Sequence, residues 1–244
     1  MARYHLSISL YTGLAFHSTQ TAVLSVHNDL VHSVDNGQVS LLVLLDLSAG
    51  FDTVDHQILL SVLSDRFSVN STTMNWFESY LTDRTQLFTH HGRQTSSFPV
   101  NCSVAQGSVF GPVVFISYTE DVVDLMDRHG VRSHMYADDT QFYDSCRPSD
   151  FDLLRARLSH CASDTDLWCK SRRLQLNDNK TEAIWFGSKS NLSKLSTANT
   201  SVQVGSATIH PSAVVRDPGL HLDSELSMKH HVAKVAAVCF YHLR

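Results

Sequence analysis

The sequence has few basic residues and lacks the patterns that mark several common classes of protein. Its 244 residues include 19 Lys and Arg against 24 Asp and Glu, which gives a net charge of −5 with histidine neutral. Proteins that bind nucleic acid usually carry a basic surface, so this balance argues against such a partner unless basic residues are concentrated locally, as in KSRR at 170–173. No apolar run approaches the ~18 residues of a membrane-spanning helix.

Cysteine is also scarce, and its spacing argues against two kinds of site. The five cysteines form no CxxC pair, and their odd number argues against a complete disulfide framework. A reduced, intracellular protein is therefore expected. Two histidine pairs, at 90–91 and 230–231, do not stand at a zinc-ligand spacing from a cysteine. We expect the histidines and cysteines to be surface or structural residues.

Apolar residues make up 43% of the chain, which is enough for a packed core, and their spacing predicts both helices and strands. The run VSLLVLLDL at 39–47 predicts a strand that is buried on both faces. Further elements are predicted as helices at 18–35, 54–67, 71–83, 151–170 and 225–243, hairpins at 84–104 and 135–143, and a strand at 181–187. This order predicts an α+β fold, with helices packed on one face of a mainly antiparallel sheet.

Some helix boundaries can be predicted from single residues. Ser71 or Thr72 is expected to cap the helix at 71–83. Pro112 suits the first position of another helix, in a segment that Gly130 ends. Asp55 is expected near the start of the helix at 54–67, where its charge favours the helix dipole.

Two adjacent carboxylates, Asp138 and Asp139, stand in the middle of MYADDTQFY at 135–143. A solvated turn would explain them, because Asp is common in turns. A metal site would also explain them, since a cation converts their mutual repulsion into attraction. Asp46 ends the buried strand, where a carboxylate is costly unless it is paired or bound. If strand and hairpin are neighbours in one sheet, three carboxylates meet at its edge and suit Mg²⁺; spacing alone also allows them to be unrelated.

Four motifs, taken in order, resemble the palm of reverse transcriptases. They are LLVLLDLSAGFDTVDH at 41–56, AQGSVFGP at 105–112, YADDTQFY at 136–143 and LQLNDNKTEAIWFG at 174–187. HSTQTAVLSVHNDL at 17–30 and the closing FYHLR resemble the non-LTR (LINE-type) retrotransposon branch. The resemblance covers nearly the whole chain. It implies an RNA-directed DNA polymerase domain that uses two metal ions to transfer nucleotides to a primer 3′-hydroxyl.

The resemblance also implies an internal organisation and a set of partners. Residual fingers would occupy 1–38, the palm 39–210, a primer-gripping hairpin 211–228 and the start of the thumb 229–244. The implied partners are an RNA template, a DNA primer and deoxynucleoside triphosphates, with Mg²⁺ as cofactor and Mn²⁺ as a possible substitute. No membrane is implied, and the family implies action in the nucleus.

The catalytic residues follow by the same resemblance. Asp46 and Asp138 would ligate both metal ions, with Asp139 at the edge of the site and the Leu47 carbonyl as a further oxygen ligand. Lys180 matches the lysine suggested to protonate or neutralise the leaving pyrophosphate. Taken alone, Lys180 is equally a solvated charge in a loop.

Residues around the nucleotide are also implied. Phe51 matches the bulky residue under the incoming sugar, which excludes a 2′-hydroxyl by steric contact. Gln106 and Gly107 match the loop along nucleotide and template, where glycine permits close backbone approach. Tyr136 would flank the primer end. Without the resemblance, Phe51 is equally a core residue and Gln106–Gly107 a generic turn.

The sequence departs from the family pattern in places. Leu14 and Ala15 stand where basic residues are expected, Ala105 replaces a proline, and Asp217–Pro218 interrupts a stretch expected to be apolar. The family's upstream fingers and most of its thumb are not in this sequence, so little or no activity is expected of the chain by itself. One alternative is a catalytically dead remnant that at most binds nucleic acid or a partner. Another is a different two-metal phosphotransferase such as a cyclase-like palm, against which AQGSVFGP argues.

Overall fold

The computed structural model describes residues 19–105, 107–136, 138–195, 199–217 and 219–243, which form both helices and short strands. The helices are α1 (Thr19–Asp35), α2 (His56–Phe67), α3 (Ser71–Leu81), α4 (Phe110–Thr119), α5 (Val122–Arg128), α6 (Phe151–Ser171), α7 (Lys189–Leu195) and α8 (Lys229–His242). The strands are β1 (Val39–Leu45), β2 (Thr85–Gln86), β3 (Thr89–His90), β4 (Arg93–Gln94), β5 (Phe98–Pro99), β6 (Arg132–Tyr136), β7 (Asp139–Cys146), β8 (Glu182–Phe186), β9 (Val202–Val204), β10 (Ala207–Ile209), β11 (Val214–Asp217) and β12 (Leu220–Asp223).

The main sheet has four antiparallel strands in the order β6-β7-β1-β8. Strand β1 lies in its interior and pairs with β7 on one side and β8 on the other. The predicted strand at 39–47 and the hairpin at 135–143 are therefore direct neighbours. This adjacency is the condition on which the convergence of the three carboxylates depends.

Both faces of β1 are buried, as its continuous apolar run predicts. Leu41 and Leu42, which point to opposite faces of the strand, are both fully buried. The face of Leu42 packs against α1 and the β11–β12 hairpin, and the shared cluster comprises Val26, Leu30, Leu42, Tyr143, Ile184, Phe186, Val215 and Leu222. On the other face, the ring of Trp185 lies 6.2 Å from that of Phe151 in α6.

Contacts divide the chain into two compact units. The first unit comprises the described residues of Met1–Leu47, Val122–Leu167 and Leu176–Arg244, and it contains the main sheet. The second unit comprises the described residues of Ser48–Asp121 and Trp168–Gln175. In the second unit the buried Tyr118 hydroxyl donates to the Arg172 carbonyl at 2.5 Å. None of the described helices is both long and apolar enough to cross a membrane.

Two predicted helix starts differ from the structure. Helix α3 begins after Asn70, whose side-chain amide donates to the Ser68 carbonyl and makes no cap hydrogen bond to the helix. The caps expected at Ser71 or Thr72 are therefore wrong. Helix α4 begins at Phe110, so Pro112 is its third residue instead of its first. Proline is tolerated there because N–H groups in the first turn have no partner within the helix.

Asp55 caps α2, as its position predicts. Its Oδ1 accepts hydrogen bonds from the backbone N–H groups of Gln57 and Ile58, both at 3.0 Å. Arg173 lies 2.5 Å from Oδ2, but the arginine side chain is 72% exposed, so this ion pair adds little. The carboxylate is buried, and most of its contribution to stability comes from the cap.

Asp55→Ala is expected to lower the free energy of unfolding by about 1–2 kcal/mol, because it removes the cap and leaves two helix N–H groups without acceptors. Urea unfolding of the variant and wild type measures the difference. The matched control is Asp65→Ala, which changes an exposed carboxylate in the same helix and should cost less than ~0.5 kcal/mol. Equal effects of the two substitutions would contradict the capping role.

Candidate active site

Sheet pairing brings the predicted carboxylates to one end of the first unit's main sheet. In the β6–β7 hairpin Tyr136 pairs with Asp139, and Asp138 lies in the turn. Thr140, the next residue of β7, pairs with Leu45 at the end of β1. Asp46 follows Leu45 directly, so it emerges beside the hairpin turn. The three carboxylates predicted from sequence therefore lie at one edge of the sheet.

The Asp46 carboxylate is partly buried and poorly hydrogen-bonded. Its Oδ2 atom is shielded from solvent and accepts no hydrogen bond from the described residues. The Lys180 Nζ lies 3.3 Å from this oxygen and forms an ion pair with it. The backbone carbonyl of Asp46 accepts a hydrogen bond from the Asn177 N–H at 2.9 Å. The next residue, Leu47, is buried and forms an isolated bridge with Leu176.

The pKa of the Asp139 carboxyl is raised at this edge of the sheet. Desolvation by the surrounding protein is the main cause that raises the pKa of the Asp139 carboxyl, and the nearby charges of Asp138 and Asp46 raise it further. Lys180 and Arg216 lower it but do not cancel the rise. Without a bound cation, the ionised form of Asp139 is therefore disfavoured at this edge of the sheet.

Asp139→Asn is expected to stabilise the fold at neutral pH, by less than ~1 kcal/mol because the side chain is exposed at the cavity. The pKa of Asp139 is higher folded than unfolded, so ionisation costs stability above the folded pKa. The gain from the substitution should fade as the pH falls to the ordinary carboxyl pKa of 3.8. Urea unfolding at pH 7 measures the gain in stability, and urea unfolding at pH 3.5 measures how far the gain is lost. A variant that is less stable than wild type at pH 7 would contradict the raised pKa of Asp139.

A cavity of about 670 Å³ opens at this edge, within the first unit, and is lined by Asp46 and Asp139, whereas Asp138 lies in the neighbouring turn and is not part of its lining. Gln141 pairs across the strands with both His134 and Leu44, and Leu44 pairs with Glu182. These paired residues all line the cavity. The Gln141 Oε1 is buried and accepts no hydrogen bond from the described residues. The cavity thus holds an acceptor in addition to the predicted carboxylates.

Sequence reasoning missed His134, Gln141, Glu182 and Arg216 as lining residues. Burial lowers the pKa of His134, so its imidazole is neutral at pH 7. Glu182 Oε2 accepts the backbone N–H of Arg216 from the β11–β12 hairpin at 3.3 Å. The sequence did contain a signal for His134 and Gln141. Residues equidistant from a hairpin turn face each other, and these two are equidistant from the β6–β7 turn.

Of the predicted nucleotide and primer residues, Phe51 and Gly107 belong to the second unit, and Tyr136 ends β6 in the first. Phe51 is half-buried and stacks on Phe115 with ring centroids 4.4 Å apart. Gly107 has φ +80°, and a Cβ there would meet no atom within 4 Å. Its backbone angle, and not close packing, is therefore what favours glycine. Gln106 lies outside the described residues.

The carboxylate cluster meets part of the ligand requirement of a divalent cation. Among the described residues, no three His, Cys, Asp or Glu side chains are gathered closely enough to hold a metal ion by themselves. Mg²⁺ does not need such a cage, because it commonly takes one or two carboxylates, several waters and substrate phosphates. The buried Asp46 Oδ2 takes no hydrogen bond from the described residues and is paired electrostatically with the exposed Lys180, so it is an oxygen of the required kind that a cation can reach by replacing the lysine. The residues therefore fit a cation that arrives with a phosphate ligand.

A family model described as "Reverse transcriptase (RNA-dependent DNA polymerase)" matches residues 9–207. The chain belongs to the reverse transcriptase family. Reverse transcriptases generally use divalent metal ions, which agrees with the carboxylate edge of the main sheet. The resemblance predicted from the four sequence motifs is confirmed.

Two curated relatives of this reverse transcriptase chain are named as proteins of mobile elements. It is 24% identical over 237 residues to "Probable RNA-directed DNA polymerase from transposon BS" of Drosophila melanogaster, covering 93% of this chain and 25% of the relative. It is 23% identical over 226 residues to "RNA-directed DNA polymerase from mobile element jockey" of the same organism, covering 90% and 23%. These matches confirm the non-LTR type. The chain spans about a quarter of the length of either relative.

Solved structures of telomerase share the fold. One, of telomerase from Candida tropicalis in complex with a fragment of telomeric RNA, aligns with a TM-score of 0.59 at 15% identity, covering 86% of this chain and 32% of that one. A second, of apo telomerase from the same organism truncated from its C-terminal domain, has a TM-score of 0.56 at 16% identity, covering 86% and 38%. The likeness confirms the predicted α+β polymerase palm.

Proposed function

We propose that the cavity beside Asp46 is the catalytic site of an RNA-directed DNA polymerase, which adds deoxynucleotides to the 3′-hydroxyl of a primer. One observation carries the proposal. The buried Asp46 Oδ2 accepts no hydrogen bond from the described residues, has the largely exposed ammonium of Lys180 as its ion-pair partner, and lies at the sheet edge that also carries Asp138 and Asp139. Such an arrangement is costly for a folded protein by itself and is relieved by a bound cation.

Mg²⁺ is the proposed cofactor, with Mn²⁺ as a substitute. Asp46 and Asp138 would hold the ions, Asp139 would stand at the edge of the site, and the Leu47 carbonyl would supply a further oxygen. When bound, two such ions activate the 3′-hydroxyl and stabilise the departing pyrophosphate. Hard carboxylate oxygens suit both cations.

The remaining residues act on the leaving group, the incoming nucleotide and the primer end in the proposal. The primer 3′-hydroxyl gives its proton to water and its oxygen bonds to the α-phosphorus, while the bond from that phosphorus to the pyrophosphate oxygen breaks and its electron pair leaves with the pyrophosphate. Lys180, whose side chain is 66% exposed, neutralises or protonates the leaving pyrophosphate. Phe51 excludes a 2′-hydroxyl from the incoming sugar, Gln106 and Gly107 lie along the nucleotide, and Tyr136 flanks the primer end.

RNA is the proposed template and DNA the proposed primer. Both Drosophila relatives are named as RNA-directed DNA polymerases, and one similar telomerase structure contains telomeric RNA. Lys180 and Arg216 line the cavity and supply local positive charge in a chain whose net charge is −5. Local cations of this kind attract phosphates even when the whole protein is acidic.

RNA-templated primer extension tests the proposal. The purified chain is incubated with an annealed RNA template and DNA primer, the four deoxynucleoside triphosphates, and Mg²⁺ or Mn²⁺, beside the variant Asp138→Asn. Template-directed extension that the variant lacks supports the proposal. A folded wild-type protein that binds the primer–template without extending it favours the alternative, a non-catalytic remnant that binds nucleic acid.

A further inference from the structure

Lys180 holds the place beside Asp46 that a cation would take. Its Nζ lies 3.3 Å from Asp46 Oδ2, the same oxygen that accepts no hydrogen bond from the described residues. A contact at this distance that fails to form a hydrogen bond is an electrostatic pairing. The lysine is therefore a counter-ion of Asp46 in the ligand-free site.

The backbone keeps Lys180 in this position. The Asn177 N–H donates to the Asp46 carbonyl at 2.9 Å, and the Asn177 carbonyl in turn accepts the N–H groups of Lys180 and Thr181 at 3.0 and 2.9 Å. The hydroxyl of Thr181 donates to the same carbonyl at 3.0 Å. The turn that carries Lys180 is thus tied directly to the residue whose charge the lysine balances.

The ammonium group remains free to leave. The Lys180 side chain is 66% exposed, whereas that of Asp46 is 20% exposed, so the lysine reaches the buried oxygen from the solvent side. Rotation of its flexible stem would move the charge away without disturbing the turn. An anionic group in the cavity, such as a triphosphate, would give the ammonium a different partner.

We propose that Lys180 competes with the divalent cation for Asp46 until a nucleoside triphosphate draws the lysine away, so that metal and nucleotide load together. This inference rests on the proposed function, because it takes the Asp46 edge to be the metal site. A cation that enters alone must displace the ammonium from Oδ2. A cation that enters with a triphosphate meets a carboxylate that the lysine has released, and the two ligands therefore bind cooperatively.

Mn²⁺ binding in the absence of nucleotide tests the competition without any measurement of activity. Free Mn²⁺ is followed by its electron paramagnetic resonance signal during titration of wild type, Lys180→Met and Asp46→Asn. Lys180→Met should bind Mn²⁺ about two- to fivefold more tightly than wild type, which is the range expected for loss of an exposed ion pair. At saturating Mn²⁺ the same variant should bind a non-hydrolysable deoxynucleoside triphosphate more weakly than wild type.

Two further variants separate the specific contact from a general change of charge. Lys189→Met removes the same charge from an exposed position at the start of α7 and should leave Mn²⁺ affinity unchanged. Lys180→Arg keeps the charge and should keep the weaker binding of wild type. Lys180→Gln serves as a second neutral variant, and circular dichroism checks that each protein is folded.

The results that would refute the competition by Lys180 differ from those that would refute the metal site. If Asp46→Asn weakens Mn²⁺ binding but Lys180→Met matches wild type, the competition is refuted while the metal site stands. If Lys189→Met tightens binding as much as Lys180→Met, the effect is one of net charge and the specific contact is refuted. If Asp46→Asn leaves Mn²⁺ binding unchanged, the metal site of the proposed function is refuted, and the role of Lys180 with it.

Discussion

Asp46→Asn is expected to reduce RNA-templated primer extension by at least a hundred- to a thousandfold. The amide keeps the size of the side chain but removes the negative charge, and electrostatic contributions of this kind to a transition state are typically worth that much. The effect should appear in the rate of nucleotide incorporation with primer–template saturating. Fold stability should change little, since Asp46 Oδ2 contributes no hydrogen bond to the described residues.

Asp35→Asn is the matched control for this substitution. Asp35 is the exposed last residue of α1 and does not line the cavity, so its variant should extend primers at the wild-type rate. Extension by Asp46→Asn within about threefold of wild type would show that the chemistry does not depend on this carboxylate.

Phe186→Ala is expected to have the largest effect on stability, a loss of about 3–5 kcal/mol in the free energy of unfolding. Phe186 is fully buried at the end of β8. Its cluster joins Val26 of α1, Leu42 of β1 and Leu222 of the β11–β12 hairpin. A cavity at this point would weaken the packing of three elements at once.

Urea or thermal unfolding measures the loss, and Phe240→Ala provides the comparison. Phe240 lies in α8 with 68% of its surface exposed, so its truncation should cost less than ~0.5 kcal/mol. A loss below ~1.5 kcal/mol for Phe186→Ala would mean that this cluster does not hold the sheet, α1 and the hairpin together.

Local sequence patterns were sufficient for the central strand and the carboxylate turn. The run at 39–47 predicts a strand buried on both faces, and the structure has β1 at Val39–Leu45 with Leu41 and Leu42 fully buried. The hairpin predicted at 84–104 contains a tight turn, since His90 pairs with Arg93 and the intervening His91 and Gly92 both have positive φ. Strand periodicity and turn chemistry depend on neighbouring residues, which is why sequence alone reveals them.

Features that depend on register or on competing contacts were not predictable in this way. His134, Gln141 and Glu182 line one cavity because the strands that carry them pair in one specific register. Strand β6 pairs with β7, and both β7 and β8 pair with β1. The cap of α3 was mispredicted because the helix already begins at Ser71, which places Ser71 and Thr72 inside it. The ion pair of Lys180 with Asp46 joins residues 134 positions apart. The bridge from Leu47 to Leu176, the hydrogen bond from Asn177 to Asp46 and the pairing of β8 with β1 together bring them close.

The location of bound Mn²⁺ tests most directly whether the Asp46 edge of the main sheet is the catalytic metal site. Crystals of the chain grown with Mn²⁺ and a non-hydrolysable deoxynucleoside triphosphate would show the cation by its anomalous scattering. If the Asp46 edge is the catalytic metal site, the peak should lie in the cavity, in contact with the carboxylates of Asp46 and Asp138. A triphosphate and its Mn²⁺ bound elsewhere, with Lys180 still paired to Asp46, would contradict it.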